Sequence, residues 1–124
     1  MGDWAGLWGV PDVDDVREWI DVPASELSDE QLTLILAAEI DNQTAYCEIS
    51  ADAITLPYAL AQALYRRCSR AAAARGIPLG TLSPAMTGTP IDYGTGIQYG
   101  ARFLPQLDAE VERYESPYRV TAVA

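Results

Sequence analysis

Asp12, Asp14 and Asp15 lie close enough together to suggest a calcium loop, in which alternating carboxylates supply the oxygen ligands. That chemistry needs a third Asp or Asn at position 16 and a glycine at 17, and the chain has Val16 and Arg17 there. Capping of a following helix explains the cluster better. The chain contains no His and no Lys, which removes Ser-His-Asp, Cys-His, Ser-Lys, Schiff-base and P-loop chemistry together. Cys47 and Cys68 have no further Cys or His with which to hold zinc and read as buried, reduced thiols, although a disulfide between them stays open. Eighteen acids can be paired in many ways for glycoside hydrolysis, so they give no specificity. Gly94, Gly96 and Gly100 follow no βαβ strand and open no evident helix, so they are not a phosphate-binding fingerprint. The expectation is no catalytic residue, no metal and no cofactor.

The remaining distinctive chemistry is arginine. Four of eight basic residues fall in "YRRCSRAAAARGIPLG", residues 65–80, in a chain of formal net charge −10. Residues 1–56 carry 13 acids and one Arg, residues 57–91 four Arg and no acid, and residues 92–124 five acids and three Arg. On a helical wheel Arg66, Arg67 and Arg70 project away from the core face, beside the small residues Ala59 and Ala63, where another backbone can approach. Arg clamps phosphate well, but the acidic remainder would repel a polyanion. The preferred reading pairs this basic face with the acidic N-terminal half of the next subunit, head to tail, which closes into a ring. A solvated helix face ranks second and direct DNA binding third.

These residues need elements to position them. Residues 1–11 read as an irregular arm. Asp12 or Asp14 caps a short helix with Val13, Val16, Trp19 and Ile20 on one face, ended at Val22-Pro23. Ser28 and Gln31 form a capping-box pattern opening a helix over about 29–49. Its apolar stripe is Leu32, Ile35, Leu36, Ile40 and Cys47, interrupted at its centre by Glu39 and Gln43. That pair reads either as partly solvated or, preferred here, as a polar contact at a subunit interface. Pro57 starts a third helix, Tyr58 to Arg75, stopped at Gly76, with Leu60, Ala61, Leu64, Tyr65, Cys68, Ala71 and Ala72 as its core face.

Residues 76–106 read as a long loop, rich in Gly and Pro, with a possible β-hairpin over 88–103 turning at Tyr93 to Gly96. A short last helix occupies 107–116, and the apolar tail 117–124 is too short to fold alone and needs a partner strand or groove. The whole is one domain of 124 residues: an all-α bundle of three to four helices with extended N- and C-terminal arms. No apolar run reaches the roughly 20 residues of a membrane span and no signal-peptide layout opens the chain, so a soluble protein made in the cytoplasm is expected.

The segments "VDDVREWIDVP" (13–23), "SDEQLTLILAAEIDNQTAYC" (28–47), "LPYALAQALYRRCSRAAAARGIPLG" (56–80) and "LDAEVERYESPYRV" (107–120) carry a family likeness. The chain resembles the head-to-tail connector proteins, also called head-completion or adaptor proteins, of long-tailed double-stranded DNA phages. The likeness lies in helix order and loose local patterns over most of the chain from residue 12 onwards. It implies a helical protomer, usually one of twelve, in a ring below the portal at the virion neck, assembled in the host cytoplasm. Its partners would be further copies, the portal protein, and a stopper or tail-completion protein, while packaged DNA passes through without specific binding. It also implies a channel or neighbour loop containing Tyr93, Tyr99 and Arg102, and a portal anchor at Tyr118, Arg119 and Val120. An acidic surface suits a channel that must not grip phosphates. The competing reading is an acidic cytoplasmic binding module that mimics DNA or occupies a basic protein; a carboxylate-dependent hydrolase has little to recommend it.

Overall fold

The structure, a computed structural model, describes residues 4–76 and 96–120, with side chains over 4–76 and 106–120. Four α-helices follow in order: α1 Val13–Ile20, α2 Asp29–Tyr46, α3 Tyr58–Ala74 and α4 Gly96–Glu115, the last continued by a 3-10 turn, Ser116–Tyr118. The described residues form an all-α bundle with isolated β-bridges and no strand.

Local chemistry sets the helix ends. Asp12 caps α1 by accepting from the Asp15 N–H, while the Asp15 carboxylate accepts from the Asp12 N–H, so two of the three clustered acids form a capping box. Ser28 and Gln31 do the same for α2. Helix α1 ends at Asp21, whose φ of 56° lies in the left-handed region that short polar side chains tolerate, one residue before Val22-Pro23. Gly76, with φ of 80°, takes the chain out of α3 in a conformation that would strain any other side chain.

The apolar stripes meet in two clusters. Val16, Ile20, Leu32, Ile35, Leu36, Cys68 and Ala72 join α1, α2 and one end of α3. Trp4, Cys47, Leu56, Leu60, Ala61 and Leu64 make the second, with Ile40 packed against both. Arg17 fastens the α1–α2 connection, donating to the carbonyls of Val22 (2.9 Å) and Leu27 (2.8 Å) and to Asp29.

Helix α4 is longer than the periodicity predicts. It begins at Gly96 instead of Leu107, which makes the backbone at Tyr99 and Arg102 helical and corrects the hairpin reading over 96–103. The Gly and Pro content argued for a loop, and Pro105 does withdraw one helix donor, but it does not end the helix. Tyr93 and the rest of 77–95 lie outside the described residues.

Both arms are docked on the bundle. Trp4 is buried, and the arm pairs with the chain before α3: the Trp8 N–H donates to the Ile54 carbonyl (2.9 Å) and the Leu56 N–H to the Trp8 carbonyl (2.8 Å). The tail expected to need an outside partner finds one inside. The Glu48 N–H donates to the Tyr118 carbonyl and the Val120 N–H to the Tyr46 carbonyl, each at 2.8 Å, so 118–120 pair antiparallel with the residues leaving α2. Residues 121–124 lie outside the described residues.

Candidate functional site: a buried arginine–carboxylate junction

Along α2 the stripe passes from the first cluster to the second across Glu39 and Gln43. Along α3 the same step falls at Arg67. These polar interruptions meet. Gln43 has no exposed surface and Arg67 is 5% exposed, so both expectations about them are corrected: Arg67 does not project from the bundle, and Gln43 is spent in the core. The wheel failed at Arg67 because it recognised one buried face on α3. Helix α4 covers a second.

The residue that organises the junction is Glu115, last in α4 and fully buried, which the sequence reading did not single out. It accepts from Arg67 through both arms of the guanidinium, Nη2 to Oε1 at 2.8 Å and Nε to Oε2. It also accepts from Gln43 Nε2 (2.9 Å) and Arg119 Nη2 (3.1 Å). Gln43 Nε2 donates further to the Leu60 carbonyl (3.0 Å), and Gln43 Oε1 accepts from Trp4 Nε1 (2.7 Å). Glu39 stands at the edge, 3.4 Å from Arg67 Nη1. Burial pushes the Glu115 carboxyl up. Hydrogen bonds from Arg67 and Gln43 and the charges of Arg67 and Arg119 outweigh it, so the group ends below its ordinary value. Burial likewise lowers Arg67, but Glu115 and then Glu39 reverse the direction and hold it firmly charged. Such a carboxylate is no proton donor. The junction clamps elements together.

The rest of the Arg face is also used within the chain. Helix α4 runs antiparallel to α3, bringing Glu110 to Arg66 (2.7 Å) and Asp108 to Arg70 (2.6 Å). Arg66 lies over the rings of Trp19 (5.2 Å) and Tyr114 (4.7 Å), and Trp19 stacks on Tyr65. Of the small residues beside the Arg face, Ala63 is fully buried within the protomer and Ala59 half-buried. The charge dipole along the sequence is therefore answered inside the chain at Arg66, Arg67 and Arg70, where pairing with a neighbouring subunit was expected.

Of the anchor residues, Tyr118 packs on the second cluster, Arg119 bonds Glu112 and Glu115, and Val120 is half exposed. A groove of about 920 Å³ lies between Trp4, Asp41, Cys47, Glu48 and Val120. Cys47 within it is a free thiol pushed up to about 11 by burial, then by the neighbouring Glu115 charge, and stays protonated. Cys68, also free, is pushed up to about 12, chiefly by burial. Among the described residues no three His, Cys, Asp or Glu side chains are arranged to hold a metal, and no helix is long and apolar enough to cross a membrane. Set against protein-family models, curated proteins and solved structures, the chain matches none.

Proposed function

We propose that this chain is a structural virion protein that forms a ring below the portal, joins the DNA-filled head to the tail and extends the DNA channel. The observation that carries the reading is the internal use of the basic face. With Arg66, Arg67 and Arg70 paired to α4, the acids of residues 1–56 dominate the outside, and duplex DNA has no arginine stripe to hold it. The helix order resembles that of the connector proteins. In this reading subunits meet through surfaces other than the Arg face, and the exposed Trp8, Ile54 and Tyr58 supply apolar area of the kind that assemblies cover.

Mixing the protein with portal rings under packaging-like conditions tests the reading, with sedimentation and particle imaging as readouts. Ring formation on the portal is the expected result. A protein that stays monomeric and leaves the portal bare overturns it. The same exposed acids favour a second reading, an acidic module that mimics DNA or occupies a basic protein. Capture of a basic nucleic-acid enzyme without incorporation into particles would favour that one.

A further inference from the structure

The geometry points to one latch that couples the N-terminal arm to the C-terminal tail through Gln43, so that displacing either arm loosens the other. Trp4 on the arm and Arg119 on the tail do not bond to each other. They are joined by a chain of hydrogen bonds, the first two buried and the last half-buried: Trp4 Nε1 to Gln43 Oε1, Gln43 Nε2 to Glu115 Oε2, and Arg119 Nη2 to Glu115 Oε1.

The donors and acceptors fix the orientation of the Gln43 amide. An indole N–H can only donate, while the Leu60 carbonyl and the Glu115 carboxylate can only accept, so Oε1 must face the arm and Nε2 the bundle and tail. A carboxylate at 43 would repel Glu115, and an aliphatic side chain would leave the indole and the Leu60 carbonyl without this partner. Withdrawal of Trp4 strands Oε1 in a site with no exposed surface, which loosens the amide's hold on Glu115. Withdrawal of Arg119 removes a donor from the same carboxylate and weakens the partner that orients Gln43. Coupling of this kind is reciprocal.

Outside the junction the arm is held by its backbone bridge to 54–56 and by Leu7 and Val10 on the second cluster, and the tail by its bridge to 46–48, by Tyr118 and by the contacts of Arg119 with Glu112 and the Tyr46 ring. Tyr118 packs on the cluster that also contains Trp4. An apolar route therefore runs beside the polar one, and the test must separate them.

Hydrogen exchange on the full chain does so. Trp4→Phe keeps a ring and removes the indole donor. It should speed exchange of the Glu48 and Val120 amides, which report tail docking, by about five-fold or more. The Asp21 amide, bonded to Arg17 in α1, should be unchanged. Arg119→Gln should in turn speed the Trp8 and Leu56 amides of the arm bridge. In a Gln43→Met background the effect of Trp4→Phe on the tail should vanish. Unchanged tail exchange in Trp4→Phe overturns the coupling. A tail effect of equal size in the Gln43→Met background overturns the relay role of Gln43 and assigns the coupling to the apolar cluster.

Discussion

Arg67 and Glu115 face each other in a two-pronged ion pair between α3 and the end of α4, with Glu115 wholly enclosed and Arg67 nearly so. Removing one partner leaves the other charged and buried. Glu115→Gln or Arg67→Met should each destabilise the fold by about 3–5 kcal/mol. The double replacement Arg67→Met with Glu115→Leu should recover much of that loss, because both desolvation costs then disappear. Urea unfolding of the three variants measures it.

The same pair makes stability depend on acid. Glu115 has a lower pKa folded than unfolded, so its contribution is complete above the unfolded carboxyl value of about 4.3 and is lost as pH falls through the folded value. Exposed acids titrate over the same range, so wild type and the double variant must be compared. The stability difference between them should change in favour of the double variant as pH falls below about 4.3. A difference independent of pH would exclude the ionised carboxylate as the source.

Arg66 and Arg70 differ in what surrounds them. Arg66 is enclosed by Glu110, Gln62 and two rings, whereas Arg70 meets an Asp108 that is 57% exposed. Arg66→Ala should therefore cost about 1–3 kcal/mol through the lost charged hydrogen bond and ring contacts. Arg70→Ala should cost under about 1 kcal/mol, the range of solvated pairs. Thermal unfolding of the two variants side by side checks the order.

Cys47 and Cys68 should resist thiol reagents while the protein is folded. Both are free and buried, with pKa values pushed up to about 11 and about 12, so little thiolate exists at neutral pH. Titration with a disulfide reagent should find neither thiol in native buffer and both in denaturant.

DNA retention gives a further check. A basic face already paired to α4 releases few counterions from a duplex, so filter binding at about 0.1 M salt should detect no complex. Retention that falls steeply with added salt would show that the arginines reach phosphates.

Much of the fold can be read from the chain because its helix ends are written in local chemistry. The Asp12 and Ser28 caps, the αL exit at Gly76 and the stripes of α1 to α3 depend on neighbours within a few residues. Helix α4 was only half legible, since its first residues carry the glycines and proline of a loop although their backbone is helical. The junction was legible as an anomaly: Glu39 and Gln43 interrupt an otherwise apolar stripe. Its solution was not legible, because Glu115 lies 72 residues from Gln43 and only the three-dimensional path of α4 brings them together. Charge gave a usable hint. The arginines of 57–91 lie between the acids of residues 1–56 and those of α4, and α4 supplies the partners of Arg66 and Arg70 and the two-pronged partner of Arg67.

The pairing of α3 with α4 also sets how copies of the molecule respond to salt. Its arginines are occupied within the protomer, and the uncompensated acids of residues 1–56 make like molecules repel one another across a distance set by the ionic atmosphere. Contacts between copies should tighten as ionic strength rises, opposite to the behaviour of a protein that grips DNA. In the ring reading proposed above, dilute buffer should keep the protomers apart and electrolyte should let their apolar surfaces meet.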